Sequence, residues 1–161
     1  MKFSIFLRLL FFIPATFIAV NTTAQSFDKA AFYHALSSES IDVINTQISL
    51  VKASSIAEKE AYEGALLMKK AGVTNGNASQ KLSLFKSGRS KLEASISKNN
   101  DNMEYRFLRL IIQENAPKIV KYRNEIEQDS QLVKTNFKTF PQYLQHVITD
   151  YSKKSKALKI G

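Results

Sequence analysis

No cysteine occurs anywhere in the 161 residues. That absence excludes disulfides, thiolate metal sites, a cysteine nucleophile and the lipid-modified cysteine of a lipoprotein. Histidine is almost as scarce. His34 and His146 are the only two, and His146 with Asp150 four residues on offers a single contact rather than a set of metal ligands. No Gly-x-Ser-x-Gly elbow, phosphate-cradling glycine loop or dinucleotide fingerprint occurs, so no cofactor is implied and an enzyme is not expected. Strict alternation of apolar and polar residues is also almost missing, which argues against a sheet.

Long apolar runs are confined to one place, Leu9 to Val20, LLFFIPATFIAV. It follows the basic Lys2 and Arg8 and precedes Asn21-Thr22-Thr23-Ala24, with small residues at the positions a signal peptidase reads. Twelve residues suit a signal core and fall short of the ~20 needed to span a bilayer. Residues 1–24 are therefore expected to be a cleaved secretory signal peptide, and the product to be periplasmic or secreted. Cleavage leaves residues 25–161, long enough for one domain with its own core. Without Lys2 and Arg8 the basic count falls from 23 to 21 against 14 acidic residues, a net +7. Such a charge favours anionic surfaces and does not specify a fold.

From Ser26 onward the apolar residues recur at spacings of three and four, and the pattern predicts an all-α domain of about seven helices. The first runs from Phe27 to about Leu36, with Ser26 as its cap. Ser40 caps the second, where Ile41, Ile44, Ile48 and Val51 form one stripe. A Ser55–Glu58 capping box opens the third, which Gly72 ends. After the loop Gly72 to Ala78, a fourth carries Leu82, Phe85, Leu92 and Ile96 on one side, with Gly88 in mid-helix. The fifth ends near Glu114. Pro117 is expected to start a long sixth helix reaching about Lys138, with Ile119, Tyr122, Ile126, Val133 and Phe137 on one face. The seventh runs from Pro141 to about Leu158, with Tyr143, Leu144, Val147, Ile148 and Tyr151 as a packing stripe. Short breaks make antiparallel neighbours, so stacked helical hairpins in a solenoid-like bundle are the economical arrangement.

Gly88, Leu92, Ser95 and Asn100 have the small, large, small, turn spacing of a tetratricopeptide second helix, with Gly64 as the close-packing residue of its partner. Over some 40 residues the chain thus resembles one degenerate unit of that repeat, although Arg106 and Arg109 stand where it wants an aromatic and a leucine. A second resemblance covers more. GALLMKKAG, LFKSGRSKLE and EYRFLRLIIQENAPKIVKYRNEIEQD are similar to segments of small exported proteins of Bacteroidota-type bacteria, a group that brings no activity with it. That resemblance implies an all-helical fold and a cell-envelope address.

One residue breaks the pattern of the fifth helix: Glu104 sits in the middle of the stripe formed by Phe107, Leu108, Ile111 and Ile112. Asp101 can cap this helix with Glu104 reaching back as the capping-box acid. Folding the hairpin at Asn115 to Pro117 also brings Arg123 within reach, so a Glu104–Arg123 ion pair is expected. The functional alternative makes Glu104, Arg106, Arg109 and Arg123 a binding site for a charged ligand, because paired arginines grip carboxylate or phosphate with two hydrogen bonds. Tyr105 lies four residues before Arg109 and can stack on it. The tail KKSKALK, Lys153 to Lys159, is the densest basic run.

The sequence therefore points first to a non-catalytic protein–protein interaction module with a partner in the cell envelope. A cationic binder of an anionic envelope polymer or nucleic acid, through the C-terminal lysines, is the alternative from another class. An enzyme using Glu104 as its acid is the third.

Overall fold

A computed structural model describes residues 27–160, and the expected signal peptide and the Ser26 cap lie outside them. Among the described residues there are seven α-helices and no strand: α1 (Lys29–Ser37), α2 (Ile41–Ala53), α3 (Lys59–Val73), α4 (Ala78–Lys98), α5 (Met103–Asn115), α6 (Ile126–Thr135) and α7 (Gln142–Lys154). Two short 3₁₀ turns, Lys118–Val120 and Phe137–Thr139, flank α6. None of these helices is long and apolar enough to cross a membrane.

The starts of the helices follow their local chemistry, with instructive shifts. Asp28 caps α1 and Ser40 caps α2 through their side-chain oxygens. Asn77 and Gln80 form a reciprocal capping box that ends the glycine-rich loop and opens α4. The expected Ser55–Glu58 box does not form: Glu58 is itself the residue before α3 and makes no side-chain cap. Its carboxylate is taken by Lys29 at 3.0 Å. At α5 the cap is Asn102, whose Oδ1 accepts from the Tyr105 amide at 3.2 Å, and not Asp101. Glu104 is then one position too early to be the reciprocal acid.

The sixth helix is the largest departure. A continuous helix from Pro117 would put Ile119 and Tyr122 on one face, yet Ile119 is 87% exposed and Tyr122 2%. Lys121, in the left-handed region at φ 49°, separates them and ends the first 3₁₀ turn. The break lets the Tyr122 ring meet Phe85 edge-on and its hydroxyl reach Glu93 Oε1 at 2.5 Å, so α6 begins only at Ile126. The last helix also stops early, at Lys154, and residues 155–160 turn back so that Leu158 is completely buried.

From α1 to α6 each helix packs against the next, and α3 also touches α1 and α5, which meet through Tyr33, Glu104 and Phe107. The most extensive interface joins α3 and α4. There Gly64 and Gly88 meet backbone to backbone: a Cβ on Gly64 would lie 2.7 Å from the Gly88 carbonyl oxygen, and one on Gly88 2.5 Å from the Gly64 oxygen. This close approach explains a glycine in mid-helix, where it otherwise costs ~1 kcal/mol against alanine. One core holds the hairpins together, with Phe32, Ile44, Tyr62, Leu92, Phe107 and Ile148 near its centre.

Candidate functional site

The odd-numbered helices run side by side in the same direction, and their first turns converge on Glu104. Lys29 opens α1, Tyr62 is in the first turn of α3, Glu104 is the second residue of α5 and Tyr143 the second of α7. Glu104 Oε1 accepts from the hydroxyls of Tyr33 at 2.9 Å and Tyr62 at 2.5 Å, and Oε2 from Lys29 Nζ at 3.2 Å. The same ammonium lies 5.5 Å from the Tyr62 ring centre and 5.9 Å from that of Tyr143. Burial disfavours its charge, but Glu104 and Glu58 outweigh burial and hold its pKa above the ordinary lysine range. Burial first, and the Glu104 charge second, push both tyrosine hydroxyls upward, which keeps them as donors. A carboxylate in an apolar stripe is thus stabilised by three donors and by the positive ends of the surrounding helices.

The expected Glu104–Arg123 pair is absent. Arg123 lies in the non-helical connection before α6, where its Nη1 donates to the Ala116 carbonyl at 3.2 Å. Arg109, offered above as a ligand-gripping arginine, is buried. It holds Asp129 of α6 by a fork, Nε to Oδ2 at 2.6 Å and Nη2 to Oδ1 at 2.9 Å, and reaches Glu93 of α4 at 3.0 Å. Burial opposes the guanidinium charge, and Asp129 more than restores it, so the Arg109 pKa stands above its ordinary value. Burial pushes the Asp129 carboxyl up, against the pull of Arg109. Arg106 borders the pair, 3.7 Å from Asp129, and hydrogen-bonds Asn100. Tyr105 is buried and Arg109 is committed to Asp129 and Glu93.

The four residues therefore do not form one site: Glu104 ties the odd helices together, Arg106 and Arg109 tie α5 to α6, and Arg123 stands apart. The partners that matter, Lys29, Tyr33, Tyr62, Glu93 and Asp129, lie 16 to 75 positions from the residues they hold, and only the four-residue spacing of Lys29 and Tyr33 along α1 marked any two of them as sharing a face. Among the described residues no group of three or more His, Cys, Asp or Glu side chains is placed to hold a metal ion.

At the opposite pole, where the odd helices end, lies an apolar groove of about 1000 Å³. Leu36, Met68, Phe85, Ile112, Val120 and Val147 contribute to its walls, so α1, α3, α4, α5, α7 and the first 3₁₀ turn all take part. Leu82, 43% exposed, and Ile119, 87% exposed, also border it. Glu104 lines neither this groove nor the smaller cavity of about 400 Å³ beside it. The smaller cavity is bordered by Arg123, Lys154 and Lys156, and by Glu114. Glu114 accepts from the hydroxyls of Tyr151 and Ser155, both at 2.6 Å, and from the amides of Lys156 and Ala157 at 2.9 and 3.0 Å. Burial pushes its carboxyl up, and these four donors outweigh burial and hold it below the usual range.

The C-terminal lysines are partly committed. Lys153 pairs with Asp150 at 2.6 Å, and Lys159 Nζ donates to the Ser155 carbonyl at 2.5 Å near the end of α7. Of the tyrosines in the expected stripe, Tyr151 is buried against Phe107 and Tyr143 is 37% exposed. No family model, no curated protein and no solved structure matches this chain.

Proposed function

We propose that this chain is an exported, non-catalytic protein-binding module of the cell envelope, and that it receives an apolar segment of its partner in the groove at the C-terminal ends of the odd helices. The observation that carries this reading is the groove itself, an open apolar depression of about 1000 Å³ with Leu82 and Ile119 left in solvent at its edges. Concave apolar sites of this size are where proteins take up ligands and helical segments. The charged groups that a catalytic reading would enlist, Glu104 and Arg109, are consumed by internal partners.

Affinity capture from the cell envelope at low and high salt tests the proposal, with the doubly substituted Leu82→Glu/Ile119→Glu protein as the matched control. The expected result is a protein retained at both salts by the native chain and lost with the control. Capture of nucleic acid or polysaccharide at low salt alone supports the rival polyanion reading, since such contacts weaken steeply with ionic strength. Retention that ignores the substitutions moves the interface off the groove.

A further inference from the structure

The groove and the smaller cavity share Asn115, Tyr151 and Lys154 in their linings, so an apolar trough adjoins a basic recess. We propose that the partner segment is an amphipathic helix whose apolar face fills the trough and whose acidic end lies against Arg123, Lys154 and Lys156. This rests on the groove being the binding surface and adds the chemistry of its occupant.

Charge on the rim supports the acidic end. None of Arg123, Lys154 and Lys156 takes part in an ion pair among the described residues. The carboxylate in the recess, Glu114, is saturated by four donors from α7 and the turn after it. The two acids on the groove rim are also engaged, Glu39 with Lys69 and Asp150 with Lys153. Lys154, the last residue of α7, suits the negative end of its own helix. Arg123 stands three residues ahead of α6 and donates Nη1 to the carbonyl of Ala116, the C-cap of α5, so it too lies at the negative end of a helix while bordering the recess. Its placement at the recess leaves positive charge facing an unfilled space.

The shape favours a helix over a single acyl chain. A chain of methylenes would lie at the bottom of the trough and leave Leu82 and Ile119 in water. A helix ~10 Å across also covers the edges.

A phage-displayed library of 16-residue helix-forming peptides, selected on the purified protein, tests the proposal. Enriched sequences are expected to carry apolar residues at helical spacing and two or more Asp or Glu at one end. Anisotropy titration of a synthesised winner should show its affinity falling roughly tenfold or more for Arg123→Glu/Lys156→Glu and for Leu82→Glu, with Lys98→Glu unchanged. Because Arg123 also bonds the Ala116 carbonyl, Lys156→Glu alone, with native circular dichroism, repeats the charge test without touching the backbone contact. Winners without acidic residues, or binding lost with Leu82→Glu but indifferent to both charge reversals, overturn the acidic occupant and leave the groove reading standing. Failure to enrich any peptide, or displacement of the winner by a fluorescent fatty acid at equal concentration, overturns the helix. Indifference to every substitution removes both readings.

Discussion

Replacing Glu104 by glutamine keeps the shape of the side chain and removes its charge, and the geometry sets how much should follow. Two buried tyrosine hydroxyls and one ammonium donate to this carboxylate. Hydrogen bonds to a charged acceptor are worth ~1.5–3 kcal/mol and neutral ones ~0.5–1.5, so the two hydroxyl bonds together should weaken by about 2 kcal/mol. Lys29 then faces an amide nitrogen in place of Oε2, but it keeps Glu58 at 3.0 Å and its side chain is 28% exposed, which limits the further loss to about 0.5–1 kcal/mol. Glu104→Gln should therefore cost about 2–3 kcal/mol in total. Glu104→Leu, which strands both hydroxyls, should cost about 3–5. Urea unfolding followed by circular dichroism reads this directly: with a slope of ~2 kcal/mol per molar, the glutamine protein should lose about 1 M in its midpoint. The Tyr62→Phe substitution should then cost less in the Glu104→Gln background than in the native chain. A midpoint within ~0.2 M of native, or strict additivity of the two changes, would refute the claim that this cluster fastens the odd helices together.

Gly64→Ala or Gly88→Ala should destabilise by about 3 kcal/mol, because the new methyl meets backbone that cannot yield. Gly72→Ala, with nothing within 4 Å of its added carbon, should be neutral or stabilise by ~0.5 kcal/mol, and thermal melts of the three proteins separate the outcomes. Asp129→Ala leaves Arg109 buried with only Glu93 and should cost about 3–5 kcal/mol in urea titration, whereas Arg109→Met/Asp129→Leu should recover most of that loss. The Glu114 carboxyl is held below its ordinary value of 4.5, so its contribution is complete above that pH and fades as pH falls through the lowered value. The Ala157 and Leu158 amide signals in NMR spectra should accordingly move toward random-coil positions in that acid window, and Glu114→Gln should abolish the step. Unmoved signals down to ~pH 2 would show that the turn does not depend on the carboxylate.

Periodicity along the chain determined the class of the fold and the existence of every helix, because a side chain's face on a helix follows from its spacing to near neighbours. Local chemistry also placed the Ser40 cap and a loop between α3 and α4, although that loop is residues 74–77 and not Gly72 to Ala78, and the tetratricopeptide-like spacing marked Gly64 and Gly88 as close-packing residues. The cap of α5 slipped by one position because Asp101 and Asn102 are both competent caps, and neighbouring contacts decide between them. Propensity gave no reason to break the chain at Lys121. The break appears only when the separate destinations of Ile119 and Tyr122, solvent and core, are known.

Tertiary structure alone decided the partners of the charged groups. Glu104 was visible as an anomaly from its place in a stripe, but no local rule selects Lys29, Tyr33 and Tyr62 over Arg123. Their proximity arises from four helices beginning at one pole of the bundle. The same arrangement sends the four C-terminal ends to the other pole, where the apolar groove and basic recess adjoin. A sequence reports which residues are apolar or charged at each turn. Only the packed chain reports which of them the fold has already matched to one another and which it leaves facing outward.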